Sequence, residues 1–576
     1  MTAYNPVYTE RAECQDCYKC VRECIAKAIK VSEGHAQVLP ERCVLCGHCV
    51  SVCPVGAKRV RSDLMRAQSL ILNRPRVYAS LAPSFVGAYP DVSPHAMVAA
   101  LGKLGFAGVS ETAIGAELIS RELAADLRDG ARPLISSACP AVVDLIEKYY
   151  PAHRSLLSDT LSPLQAHGQF LREQYGEDIA VVFIGPCVAK KKEADERPDL
   201  IDAALTFEEL DEWFHRAGIE PDLVEQGSAF FVPRRADDGA LYPLEGGMIA
   251  TLSNRAIARD RTFLSVSGLE SVQEVLDELA AAPPEQPLFL ELLACRGGCI
   301  NGPMCSRDRQ SLRRRSRVLS WLKTTKSREE LPAVAGTLRT TRNASESVGA
   351  SGITVAHPEP EPTAITAALR KIGKHSAEDE LNCGGCGYET CRDFACAMLD
   401  GRAERTMCAG YMRELAQQKA NALLRAMPSG VVMVTQDLRI LECNEKFVQL
   451  LGEEAQLLYD ASPGLEGVDL SRIVPFWSYF KEALSGNLES VTEDFQCDGR
   501  VLNGTVFVIQ AGQLAGGIFQ DVTAPAVQRE RIITQAQEVI TRNLSTVQQI
   551  ASLMGENAAE TESMLNSIID AFGSPK

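Results

Sequence analysis

Two cysteine runs open the chain. "CQDCYKCVREC" carries Cys14, Cys17, Cys20 and Cys24 as C-x2-C-x2-C-x3-C, and "CVLCGHCVSVCP" repeats that spacing 29 residues on with Cys43, Cys46, Cys49 and Cys53. Three thiolates on a tight turn can grip three corners of an iron–sulfur cube while the fourth crosses to a second cube. The pair of runs predicts two [4Fe–4S] clusters acting as an electron relay. Zinc knuckles, the alternative, ask for paired C-x2-C units with longer spacers. Pro54 completes the second copy, and Ile25 replaces it in the first, a change to a turn and to no ligand.

Four further thiols are dispersed. Cys139 lies in "LISSACPAVV", Cys187 in "FIGPCVAKKKEAD", and Cys295 and Cys299 in "ELLACRGGCINGPMC". The runs before them, "PLIS", "IAVVFI" and "LFLELLA", read as short strands, and strand ends in an α/β domain are where loops assemble a site. Taken singly, each thiol also suits a buried structural cysteine.

Taken together, these stretches resemble the catalytic domain of the [FeFe]-hydrogenases, whose signature loops run roughly TSCCP, PCxxKxxE and ExxACxGGCxxG. Here they read "SSACP" (136–140), "PCVAKKKE" (186–193) and "ELLACRGGCING" (291–302), and "LAPSF" (81–85), "ETAIGAE" (111–117) and "EGGMIA" (245–250) extend the likeness over about residues 10–325. The resemblance implies an H-cluster, a [4Fe–4S] cube on Cys139, Cys187, Cys295 and Cys299, with Cys299 bridging to a di-iron unit that bears CO, CN and an azadithiolate. It implies that Lys190 donates to a cyanide with Glu193 paired near it, and that Ala82, Pro83 and Ser84 face the unit's other side. Gly297 and Gly298, lacking Cβ, would let backbone approach the centre. Lys191 and Lys192 are expected as a solvated charge run. H2, protons and a redox carrier such as ferredoxin are the implied substrates and partner.

Three positions depart from that pattern. Ala138 stands where catalytic members carry a second cysteine that hands protons to the di-iron unit, and Gly185 and Leu293 replace methionines. A positioned general acid or base contributes about 10²–10⁴-fold in rate, so slow turnover is expected.

Residues 326–364 are rich in Ser, Thr, Pro and Gly and read as a linker. Beyond them Cys383, Cys386, Cys391 and Cys408 form C-x2-C-x4-C-x16-C, which resembles a small [4Fe–4S] domain, with zinc the alternative. Cys305 and Cys396 are expected to be structural. Residues 419–525 resemble a PAS domain through their strand and helix order, Asn444 at a helix start and the closing "QDVT" (520–523); Cys443 and Cys497 are expected as core thiols. Leu544, Val547, Ala551, Met554, Ala558, Thr561, Leu565, Ile568 and Phe572 step alternately by 3 and 4, which predicts a dimerising coiled coil or a helix packed on the PAS domain.

These pieces need several supports. A length of 576 residues suggests about four domains, and 45% apolar residues suffice for their cores. The net charge of −16 argues against nucleic acid or an anionic membrane as main partner. The opening residues show no apolar export signal and no twin arginine, so the cytoplasm is expected, where the 20 cysteines suit metal better than disulfides. The expected fold class is multidomain α+β and α/β: a 2[4Fe–4S] ferredoxin-like domain (1–65), an H-cluster domain (66–325), a linker (326–364), a small [4Fe–4S] domain (365–415), a PAS domain (416–525) and a C-terminal coiled coil (526–576). The expected function is an H2- or redox-sensing hydrogenase of low turnover that signals as a homodimer to a kinase or phosphatase. The rivals are a non-catalytic iron–sulfur scaffold or cluster-transfer protein, and a metabolic ferredoxin-linked hydrogenase.

Overall fold

The computed structural model describes residues 5–129, 133–225, 227, 229–253, 261–282, 286–305, 310–324, 331, 334–340, 360–462, 464–486, 489–523 and 539. The chain divides into two units, Met1–Arg405 and Thr406–Lys576.

The cysteine repeat of the first unit is also a backbone repeat. Strands β1 (Val7–Thr9), β2 (Ile29–Ser32), β3 (His35–Val38) and β4 (Lys58–Val60) form two antiparallel pairs, β1 with β4 and β2 with β3. Asp16 and Leu45, Tyr18 and Gly47, and Lys27 and Gly56 hold equivalent places in the two copies, and all six take positive φ, from 42° at Lys27 to 73° at Gly47. Non-glycine residues held there cost about 1–2 kcal/mol each, which marks loops shaped by function.

The rest of this unit is built on parallel strands: β5 (Val77–Leu81), β6 (Gly108–Glu111), β7 (Leu134–Ile135), β8 (Ala180–Ile184), β9 (Ala203–Leu205), β10 (Thr262–Ser267) and β11 (Leu288–Leu293). One sheet runs β6-β5-β8-β9 and the other β10-β11-β7. Val77, Ala79, Leu81, Ala180, Val182 and Ile184 enter one buried cluster, while Tyr78, Val181 and Phe183 enter another. Both faces of the sheet are covered, which is why its strands read as unbroken apolar runs. Part of the expected linker is packed: Leu161 N–H donates to Leu338 at 2.8 Å, and Arg339 pairs with Asp126 at 2.7 Å and Asp159 at 3.0 Å. The helix Pro362–Arg370 also starts inside it.

The second unit holds one five-stranded antiparallel sheet. Its strands β12 (Gly430–Thr435), β13 (Ile440–Cys443), β14 (Ser490–Cys497), β15 (Arg500–Gln510) and β16 (Leu514–Asp521) run in the order β13-β12-β16-β15-β14. Asn444 caps the helix Glu445–Leu451, its side-chain oxygen accepting from Phe447 N–H at 3.0 Å and Val431 N–H at 2.8 Å. Thr523 of the closing "QDVT" accepts from Val501 N–H at 2.9 Å. Phe447, Phe476, Phe480, Phe495 and Phe519 fill the core, in which Cys443 and Cys497 are buried as expected.

The fold class read from the sequence needs one correction. The C-terminal elements of the structure, β14 to β16, form an antiparallel sheet rather than a coiled coil. Burial of Phe495 and Cys497 with exposed Gln496 between them follows period 2, the strand period. The heptad seam from Leu544 to Phe572 lies outside the described residues. Among the described residues no helix is long and apolar enough to cross a membrane.

Candidate metal centre

The two cysteine runs exchange their fourth members. Cys14, Cys17 and Cys53 are electrostatic neighbours of Cys20, whereas Cys43, Cys46 and Cys24 are those of Cys49. Burial, opposed by Lys58 and reinforced by its thiol neighbours, pushes Cys20 up to about 11. Burial and then the same kind of crowding push Cys49 well above the usual thiol range. Asp16 and His35 bring donor atoms within 4.8 Å of the Cys14 thiol. Two four-thiol sets with crossed fourth ligands fit two cubanes.

The dispersed thiols meet at the C-terminal ends of parallel strands. Cys139 directly precedes the helix Pro140–Tyr149, and Cys187 follows β8 just before the helix Ala189–Glu196. Cys295 follows β11, and Cys299 opens a short 3-10 turn, Cys299–Asn301. The neighbours of Cys295 are Cys299, Cys187 and Cys139, and then Cys46 of the second run. The four thiols line a cavity of about 110 Å³ together with Ala82, Pro83, Ser84, Ala138, Leu293 and Lys190.

Lys190 stands at this cavity on a buried ion pair. Its Nζ lies 2.5 Å from Glu193 Oε2 and 3.2 Å from Ser162 Oγ, and Ser162 donates to the same carboxylate oxygen at 3.1 Å. Ser162 was not legible as a site residue. "SPLQ" (162–165) announces only the helix start, where Ser162 and Gln165 close a capping box. Ser84 is 1% exposed, and its hydroxyl has no hydrogen-bond partner among the described residues. Glu291, which also lines the cavity, accepts from Met248 N–H at 3.2 Å; burial raises its carboxyl to about 7 despite that bond.

Other expectations change. Lys191 is not solvated: it is 1% exposed and bonded to Asp63 at 3.1 Å, Glu209 at 2.8 Å and the Ala204 carbonyl at 2.8 Å. Three elements converge there, so the middle lysine of the run is a core ion pair. Lys192 is part-buried and pairs with Asp144 at 2.6 Å. Gly298, at φ +99°, is required by protein as well: a Cβ there would fall 2.3 Å from the Pro243 carbonyl oxygen. At Gly185 a Cβ would meet the Phe183 ring at 2.5 Å, so that ring, itself part of the cavity wall, takes the space beside the glycine.

Four soft thiol donors around one cavity fit an iron–sulfur cube. The ammonium of Lys190 and the hydroxyl of Ser84, which has no partner among the described residues, fit an adjoining group with anionic acceptors. Elsewhere in the first unit, Cys391 opens the helix Cys391–Leu399, with Cys383 and Cys386 in the preceding loop. Cys408, in the second unit, directly precedes the helix Ala409–Ala426. Cys305 is buried in the same core cluster as Phe85, and Cys396 is half-buried.

Comparison with known proteins gives four family matches along the chain. Residues 75–303 match the family described as iron only hydrogenase large subunit, C-terminal domain. Residues 13–57 match a 4Fe-4S dicluster domain, 379–409 an Fe-S cluster family and 418–490 a PAS domain. The chain is 27% identical over 351 residues to the NADP-reducing hydrogenase subunit HndD of Solidesulfovibrio fructosivorans, covering 48% of this chain and 58% of that one. It is 26% identical over 308 residues to iron hydrogenase 1 of Clostridium pasteurianum, covering 43% and 53%. It thus spans little more than half the length of these relatives. The cytosolic Fe-S cluster assembly factor NAR1 of Meyerozyma guilliermondii is 26% identical over 205 residues, 30% of this chain and 39% of that one.

Proposed function

We propose, from the premise that this chain is homologous to the [FeFe]-hydrogenases and carries a PAS domain, that it is a slow, sensory hydrogenase. In this reading it responds to H2 or redox state and passes that state through iron–sulfur clusters and the PAS domain to a signalling partner. The observation that carries the proposal is Ala138, which lines the cavity beside Cys139 with a methyl group where a proton-donating thiol is expected.

Cys139, Cys187, Cys295 and Cys299 would hold the cube, and Cys299 would also carry the di-iron unit. When bound, that unit supplies reversible H2 cleavage to two protons and two electrons. The chain's own residues orient and shield it: Lys190 and Ser84 offer hydrogen-bond donors, Glu193 holds Lys190 in place, and Phe183 narrows the wall. Ala138 has no proton to donate, so proton exchange at this wall is slow, which suits detection better than flux. The crossing of Cys46 toward Cys295 supports electron exchange with the ferredoxin-like clusters.

A second reading, a cluster scaffold without the di-iron unit, draws on the likeness to the Fe-S cluster assembly factor. Infrared spectroscopy of protein produced with the hydrogenase maturation machinery separates the two. Bands of metal-bound CO and CN, together with measurable but slow H2 turnover, are expected. A spectrum without those bands leaves the scaffold.

A further inference from the structure

The segment around Cys386 is anchored to the ferredoxin-like part of the same unit at both of its ends, to the first cysteine run at one and to β2 and the turn after it at the other. Arg22 bridges the runs, donating to the Cys17 carbonyl at 3.2 Å and to the Gly385 carbonyl at 3.3 Å. Lys27 donates to the Gly387 carbonyl at 3.2 Å, with its ammonium 5.8 Å from the Tyr388 ring centre. Gly387, at φ +93°, lies so close that a Cβ would stand 2.9 Å from Val21 Cγ1 and 3.2 Å from Arg22 N. At the other end, Val31 N–H donates to the Arg402 carbonyl at 2.9 Å, and Glu404 accepts from Glu33 N–H at 2.7 Å. Tyr388 is 4% exposed and has both Cys386 and Cys24 among its electrostatic neighbours.

The contacts of Val21 and Arg22 fall on the short helix Lys19–Arg22, which carries Cys20 and lies between Cys17 and Cys24, while Lys27, Val31 and Glu33 extend the contact along the segment that follows it. We infer that residues 385–404 form a built-in electron-transfer partner docked on this face of the ferredoxin-like fold, the face around Cys17 and Cys24. The cationic face of Arg22 and Lys27 receives the carbonyls of the 385–387 turn, and the exchange it serves is one electron, lost by the cluster on one cysteine set and gained by that on the other, with no bond made or broken. This deepens the proposed function and takes from it only that both cysteine sets hold clusters.

Electron paramagnetic resonance of the dithionite-reduced, cluster-reconstituted full chain tests the docking. Removing the nearby cluster by Cys386→Ser is expected to narrow the signals of the ferredoxin-type clusters, because their magnetic neighbour is gone. Arg22→Glu with Lys27→Glu is expected to give the same narrowing at wild-type iron content. Should Arg22→Glu disturb the Cys17 loop and lower the iron, Glu404→Lys applies the same test from the far end. A wild-type spectrum equal to the Cys386→Ser spectrum plus one isolated cluster overturns the inference, as do broadening that survives undocking and zinc in place of iron on Cys383, Cys386 and Cys391. None of these readouts involves the di-iron unit, so infrared silence would defeat the proposed function and leave this result standing.

Discussion

Lys190 and Glu193 form an ion pair within one helix, Nζ to Oε2 2.5 Å, with each side chain only about a tenth exposed and Ser162 bonded to both. Removing one member of a buried pair strands the other charge, at a cost of about 3–5 kcal/mol. Glu193→Gln is therefore expected to destabilise the cluster-free protein by about 3 kcal/mol, the low end, because Ser162 still faces Lys190. The urea unfolding midpoint measures it; an unchanged midpoint would mean the ammonium finds water.

Ser84 works in the opposite direction. Its hydroxyl is buried without a partner among the described residues, and an unsatisfied buried polar group costs about 1–3 kcal/mol. Ser84→Ala is expected to leave the cluster-free protein as stable or up to about 1 kcal/mol more stable, while shifting a CN band in the matured protein. A clear loss of stability before maturation would show that the hydroxyl already has a structural partner.

His167 sets an acid limit on the fold. It is fully buried between Ser80 and Ser110 at 2.8 and 2.9 Å, and burial lowers it to about 3. A histidine depressed in the fold stays neutral while the unfolded chain binds a proton, so stability is lost as pH falls from the unfolded value near 6.5 toward 3. At pH 5 the loss is about 2 kcal/mol. Urea unfolding at pH 7.5 and 5 should show it, and His167→Gln should flatten that part of the pH dependence.

Ala138→Cys places a titratable thiol at the cavity wall, and one relay group supplies up to about 10⁴-fold in rate. H2 evolution or oxidation with a viologen dye is expected to rise at least about tenfold, with the cluster spectra little changed. Flat turnover in fully matured protein would shift the proposed cause of slow turnover to the cavity wall at Leu293 and at Phe183 beside Gly185.

Cys299→Ser exchanges a soft thiolate for a hard oxygen at the position proposed to bridge to the di-iron unit. The CO and CN bands are expected to disappear while the ferredoxin-type clusters persist in iron analysis. Intact bands would assign the bridge to another residue.

The cluster loops were legible because their information is local. The C-x2-C-x2-C-x3-C spacing sets which thiols share a turn, and the matched positive φ values at Tyr18 and Gly47 show that the repeat in residues is a repeat in backbone. The order of strands and helices around Asn444 was legible for the same reason, since period and caps are written within a few residues. The three apolar runs likewise located the strand ends that carry Cys139, Cys187, Cys295 and Cys299.

Non-local contacts were decided only by the tertiary structure. Three lysines in a row carry no mark of which is exposed, and Lys191 is buried because Asp63 and Glu209 arrive from distant parts of the chain. Ser162 reads as a helix cap until folding brings Glu193 and Lys190 to it. Glycine at 387 looks like any loop glycine, yet the approach of Val21 leaves no room for a side chain. Spacing along a chain determines which groups can share one turn, whereas burial and pairing depend on what other segments bring to the same place, and only the fold supplies that.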